Sequence, residues 1–328
     1  LIVLDEGHFF KFKIQSIIQT IVVFLHKTIG IVMNIKNNTS DSGIKIAVFS
    51  SDAGIGAWYL LQYCDAQKKL GQPVPFEIVY FFSDKDSANG ASRIKIMPNI
   101  YYALLDPVYA TQDVRPLLRE RHIAVECLDM DDFYKQRGFQ SKHSAPLINE
   151  KNCAIRREYY ELVNSKLKEF EMRSGSKIDL IVLDNYMSII TEPIFQWPII
   201  NCHCADLRKL NDQGERVYAG YHPVLSALAN QEPHLYATTH FVDQFVDNGS
   251  IIEVSEPFPV DFKRDQAFIA FDAPTDKEGC FNYFSNMDNY PTLLTKIEDL
   301  YEAYLKLYVQ NKLLNSTLIS IATNTRSP

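Results

Sequence analysis

Pro198-Ile199-Ile200-Asn201-Cys202-His203-Cys204-Ala205-Asp206 opens on a short apolar run and ends on polar residues. That pattern predicts a buried strand reaching the edge of a sheet. Side chains alternate across a strand, so Asn201 and His203 share one side and Cys202 and Cys204 the other. An amide and an imidazole side by side at a strand end can act on a carbonyl. The amide N–H donates to a developing oxyanion and the imidazole moves a proton. The competing reading is a hydrogen-bonded structural histidine. Two thiolates and an imidazole could also hold zinc. Cysteines that face away from the histidine cannot converge with it on one ion, so they read as small packing residues.

Upstream and downstream of this strand the chain alternates in kind. Ile44 to Ser50 is a short apolar strand, followed by the glycine-containing turn Ser51-Asp52-Ala53-Gly54-Ile55-Gly56. A helix follows, with Ala57, Leu60, Leu61 and Cys64 at helical spacing. Phe76 to Phe82 is the next strand and Ile123 to Leu128 a third. Ile155, Tyr159, Leu162, Val163 and Phe170 mark one face of a helix of about 18 residues closed by Gly175. Ile178 to Leu183 is a continuous apolar strand of the fully buried kind. Repeated strand–helix alternation predicts a mostly parallel sheet with helices on both faces. Ligands of such sheets sit beyond the carboxyl ends of the strands, where Ser51 to Gly56, Asn185 to Ile190 and Asn201 to Asp206 all fall. Pro223 to Asn230 reads as a short helix. Tyr236 to Val242 and Ile251 to Val254 read as strands around the loop 243–250. Leu293, Ile297, Leu300, Tyr301, Tyr304 and Tyr308 line one face of a C-terminal helix that packs on the domain or on a partner.

The 328 residues suit one large domain with an appendage, and 46% hydrophobic with 22% charged residues is ordinary for a globular protein. A net charge of -7 disfavours broad nucleic-acid binding. Six cysteines without framework or CxxC spacing point to reduced thiols and a cytoplasmic setting. Residues 1–43 differ from the rest. Ile14 to Met33 is apolar but broken by Gln15, Gln19, His26 and Lys27, which makes a poor membrane span. No signal-peptide cleavage site is evident. Met33 is the expected start, with Asn34 to Gly43 a polar leader. No membrane partner is expected.

Four blocks give the chain a resemblance: KIAVFSSDAGIG, IDLIVLDNYMSII, PIINCHCADL, and YAGYHPVLSAL running through TTHFVDQFVDNGSII. Together they resemble the folate-dependent formyltransferases, with the Asn-x-His of Asn201 and His203 followed by the His-x6-Asp of His240 and Asp247. The resemblance covers about residues 44–260. It implies an α/β Rossmann-like formyltransferase fold; residues 261–328, which it does not cover, read from their own pattern as a helical C-terminal extension. It implies transfer of a formyl group from 10-formyltetrahydrofolate to a small-molecule amine, of the glycinamide ribonucleotide or amino-sugar nucleotide type, with no metal. Hydrolysis of the same donor is the alternative. A non-catalytic sheet that binds folate or nucleotide, its C-terminal helix serving a partner, is another. In either case a homodimer through the C-terminal helix is an expected partner arrangement.

By the same resemblance, Asn201 and a protonated His203 stabilise the tetrahedral oxyanion, and Asp247 favours the charged imidazole. Asp247 is equally suited to a turn, since Asp-Asn-Gly is good turn chemistry. His240 reads as a structural hydrogen bond behind the site. Met187, Ile189 and Ile190 line a pteridine pocket, with Asp243 and Val246 on its lid; plain core packing is the rival reading of the apolar three. Gly54, Ile55 and Gly56 stand where family members that act on a phosphorylated ribose hold the phosphate at a helix N-terminus. Arg157 matches a position near the acceptor. Ile55 and Gly56 replace a serine and an asparagine of that turn, and Asp52 adds an acid, so a phosphate is less welcome. The stretch between Asp206 and Tyr218, with its turn Asn211-Asp212-Gln213-Gly214-Glu215-Arg216, is longer than in the ribonucleotide enzyme and adjoins the acceptor side.

Overall fold

The computed structural model describes residues 43–51, 54–85, 113–139, 150–261, 298, 301–302 and 304–326. Asp52, residues 1–42 and the stretch containing Leu293 and Ile297 lie outside the described residues.

Seven strands form one sheet in the order β3-β2-β1-β4-β5-β7-β8. They are β1 (Ile44–Ser50), β2 (Phe76–Ser83), β3 (Ala124–Cys127), β4 (Leu180–Leu183), β5 (Ile199–His203), β7 (Thr238–Phe241) and β8 (Ile251–Val254). The first five run parallel, while β7 pairs antiparallel with β5 and β8 antiparallel with β7. A short pair, β6 (His234–Leu235) with β9 (Phe258–Pro259), lies apart. The apolar runs of β1, β4 and β5 follow from burial on both faces. Ala47 and Phe49 pack on one side with Tyr159, Tyr160, Val163 and Leu167; Ile46 and Val48 pack on the other with Ala57, Leu60 and Leu118.

Helix α1 (Ile55–Lys69) and helix α2 (Arg115–Glu120) cover the second face, while α3 (Met130–Lys135) and α4 (Glu150–Ser174) cover the first. Helix α4 runs 25 residues, longer than the spacing predicts. Its buried stripe also differs: Leu162 is 44% exposed, whereas Tyr160 is fully buried with its hydroxyl 3.2 Å from that of Tyr186. A buried hydroxyl needs a partner, and that partner lies on another segment, so spacing alone could not assign the face.

Helix α5 (Pro223–Ala229) precedes the antiparallel strands, and α6 (Asn311–Arg326) ends the described chain, entered through wider π-type turns over Leu305–Gln310. Helix α6 is built into the core: Leu314, Leu318 and Ala322 join the cluster beneath β1 and β5. Thr317 Oγ1 meets Thr239 Oγ1 at 2.8 Å and donates to Glu253 Oε2 at 3.0 Å, which ties α6 to β7 and β8. Among the described residues no helix is long and apolar enough to cross a membrane.

A mixed-charge candidate active site at the end of strand β5

Strand alternation does what the sequence predicts. Cys202 turns into the rear cluster, its thiol pushed up to about 12 by burial, and Cys204 is raised by burial as well. The Gln310 side-chain amide donates to the Cys202 carbonyl at 3.2 Å and to Cys204 Sγ at 2.9 Å. These thiols are protonated packing groups. Asn201 and His203 occupy the opposite side of the strand.

The antiparallel register then adds a residue. Asn201 lies opposite His240 and His203 opposite Thr238. Side chains directly opposite one another share a face, so His240 stands beside Asn201 rather than behind the site. Its Nε2 lies 3.3 Å from Asn201 Nδ2 and 3.4 Å from Asp247 Oδ1. The structural hydrogen bond expected of His240 is thus made to Asn201 itself, beside the cluster. Sequence spacing says nothing about which residues of two strands face each other.

Asp247 reaches the same point from the β7–β8 loop. It holds a left-handed backbone, φ 47°, within the Asp-Asn-Gly turn. Gly249 permits the loop's close approach: a Cβ there would lie 1.7 Å from the Phe241 carbonyl oxygen. One carboxylate oxygen accepts from Asn201 Nδ2 at 3.3 Å. The other accepts from the Gly220 N–H at 2.9 Å and faces His203 Nδ1 at 3.5 Å.

The stretch before Tyr218 folds as a hairpin, with Leu210 bridged to Arg216 and Asn211 Oδ1 accepting from the Gln213 and Glu215 N–H groups. It serves the cluster at every second residue. Arg216 donates to the carbonyls of Asp247 and Gly249, the second at 2.8 Å. The Tyr218 carbonyl lies 2.8 Å from His203 Nε2, and Gly220 supplies its N–H to Asp247. Arg216, Tyr218 and Gly220 were not singled out in the sequence. Their spacing of two, beside a glycine, is the signal that could have found them.

The protonation pattern follows from the partners. A carbonyl only accepts, so His203 carries its proton on Nε2 toward Tyr218, and His240 carries one on Nδ1 toward the Phe241 carbonyl at 2.8 Å. Each ring thus presents its other nitrogen to Asp247. Burial lowers His203 below the ordinary histidine value near 6.5, against the opposing pull of Asp247 and the Tyr218 hydrogen bond. Burial also works against the Asp247 charge, but the His240 contact, His203 and the Gly220 amide outweigh it and hold the carboxyl well below the carboxylate range. Enclosure thus works against the charged ring that the resemblance implies, while Asp247 works for it.

The remaining expected residues are spread more widely. Met187 and Ile189 are half-buried beyond β4, with the Met187 N–H donating to Ser51 Oγ at 2.9 Å, whereas Ile190 is core. Asp243 accepts the Phe245 N–H at 2.8 Å, and Phe245 and Val246 are exposed on the loop surface. Gly54 and Gly56 open helix α1, with Ile55 between them. Arg157 lies on the exposed side of α4, while its neighbour Arg156 is buried.

Fold and cluster together define an α/β protein with an amide, two imidazoles and a carboxylate at the carboxyl edge of a mostly parallel sheet. Over 120 residues, 36% of this chain, it is 31% identical to the trifunctional purine biosynthetic protein adenosine-3 of Drosophila melanogaster, and the alignment spans 8% of that protein's length. Among solved structures it is similar to phosphoribosylglycinamide formyltransferase from Bacillus halodurans, at 21% identity over 84% of this chain and 94% of that one, TM-score 0.44. It is also similar to a formyltetrahydrofolate deformylase from Pseudomonas syringae, at 15% identity over 86% of this chain and 62% of that one, TM-score 0.48. No family model matches the chain.

Proposed function

We propose that this chain transfers a formyl group from 10-formyltetrahydrofolate to an amine, with Asn201, His203 and Asp247 as the catalytic set. The observation that carries the proposal is the meeting of Asp247, from the β7–β8 loop, with both Asn201 and His203 of strand β5. The partial identity to a purine biosynthetic protein supports the same reading.

In this scheme the lone pair of a neutral amine forms the new N–C bond at the formyl carbon, and the C=O pair moves onto oxygen. Asn201 turns an N–H from its long 3.3 Å contacts toward that oxyanion. Neutral His203 takes the proton of the new ammonium on Nδ1, where the ionised Asp247 stabilises the imidazolium. The same proton passes to the folate nitrogen as its bond to the formyl carbon breaks, releasing tetrahydrofolate and the formamide. Arg216 and Gly220 hold Asp247 in place throughout. Met187, Ile189, Asp243 and Val246 are the proposed contacts of the pterin, with Ile190 behind them. The free cysteines at 64, 127, 153, 202 and 204 fit a reducing, cytoplasmic setting.

The test incubates the full chain with 10-formyltetrahydrofolate, with and without a panel of primary amines. Tetrahydrofolate that forms only when an amine is present, and vanishes in His203→Ala, is the expected result. Formate released at the same rate without amine would make the chain a hydrolase. Folate binding unchanged in His203→Ala, with no turnover in either protein, would make it a binding module.

A further inference from the structure

The sheet order places β1 beside β4, and the chain departs from these two neighbours in opposite directions along the sheet. Crevices at such switch points receive ligands. Here the amino end of the 15-residue helix α1 faces the crevice, entered through Gly54 in a left-handed conformation. A helix amino end carries unsatisfied N–H groups and partial positive charge. Helix α1 has no side-chain cap and no acidic residue in its first turn, so nothing on the helix itself answers that charge.

The answer comes from β4. Asp184 directly follows that strand, is 2% exposed, and lays its carboxylate against Gly56. A Cβ on Gly56 would lie 2.1 Å from Asp184 Oδ2, so only glycine leaves room for the acid. Lys306, from the turns that lead into α6, donates to Asp184 Oδ1. Oδ2 has no hydrogen-bond partner among the described residues. An isolated buried carboxylate would be costly; a helix amino end and an ammonium group beside it remove most of that cost.

We propose that Asp184 is a built-in anion at the amino end of α1, neutralised by Lys306, and that it excludes phosphate from this crevice. The amine that enters beside Asn201 therefore carries no phosphate or other anionic group at this point. This substrate class rests on the formyl-transfer reading; the occupied helix end does not. Mononucleotide-like acceptors anchored through a phosphate at α1 are ruled out, while neutral or cationic amines are admitted.

The test needs no turnover. The 15N-labelled full chain is titrated with inorganic phosphate and with ribose 5-phosphate, following the Gly54 and Gly56 amide signals. In the natural chain these signals should stay still through millimolar phosphate. Asp184→Ala removes the anion and leaves both the helix end and Lys306 positive. It should bind phosphate at least about tenfold more tightly, a gain worth about 1.4 kcal/mol, and Asp184→Ala/Lys306→Ala should lose most of that gain. Should Asp184→Ala not fold, Asp184→Asn, which keeps the shape without the charge, should shift binding in the same direction. Saturable phosphate binding by the natural chain at these amides would overturn the proposal, as would a folded Asp184 variant that binds no better. Absence of formyl transfer from every amine would overturn the enzymatic reading and leave the phosphate result standing.

Discussion

Two carboxylates stand at the carboxyl edge of one sheet, and their surroundings differ in kind. Asp247 sits on a loop, in a left-handed backbone, between two imidazoles and an amide. Asp184 sits at the end of a rigid strand, against a helix amino end and a lysine. The partners of Asp247 include imidazoles, a side chain that can take up and release a proton; those of Asp184 are an ammonium group and a helix amino end. The first arrangement can pass a proton, and the second can only hold or repel charge. Burial alone therefore does not mark a catalytic acid. The titration of its neighbours does.

Asp247→Asn should break the comparison most severely. It keeps the shape, removes the charge that stabilises a protonated His203, and should lower formyl transfer by about 10³-fold, near 4 kcal/mol of transition-state stabilisation. Steady-state rates with the donor and an active amine check this. Circular dichroism of the same variant should be unchanged.

Lys306→Ala should act on stability. It leaves Asp184 buried without its counter-charge and should cost about 3 kcal/mol in urea denaturation. Lys306→Ala/Asp184→Ala should recover part of that loss, because no unpaired charge remains. An additive double variant would show that the two groups do not interact.

Arg216→Ala tests the hairpin that holds Asp247. Losing the bonds to the Asp247 and Gly249 carbonyls should cost about 1–2 kcal/mol of stability. If Arg216 positions Asp247, the His203 and His240 ring signals should also move in the pH titration. Lost stability with unmoved ring titrations would make Arg216 merely structural.

The smallest effect is in pH. His203 is lowered in the folded chain, so the unfolded chain binds its proton first as pH falls. Its contribution to stability is thus present above about 6.5 and declines below that value. Asp247, whose folded value is depressed, keeps its contribution above about 3.8 and loses it at lower pH. Melting temperatures from pH 7.5 to 5 should fall by a few degrees, and His203→Gln should flatten that slope.

Much of this was legible from residue patterns, because strand alternation and apolar runs are local. The side of the sheet taken by Asn201, away from Cys202, followed from period two. The α/β class followed from alternation of apolar strands with helical spacing, and the structure bears out a mostly parallel sheet. The buried face of α4 did not follow, since Tyr160 is buried through a hydroxyl partner 26 residues away.

The sequence by itself determined the kinds of groups available: an amide, imidazoles and acids at strand ends, and a glycine turn before a helix. Only the tertiary structure decided which of them meet. It set His240 opposite Asn201 by strand register, turned Arg216, Tyr218 and Gly220 onto the cluster, and enclosed His203, which lowers its proton affinity. It also brought Lys306 across the crevice to Asp184, 122 residues away in the chain. Register, enclosure and long-range charge pairing depend on the packing of distant segments, and no local pattern of residues encodes them.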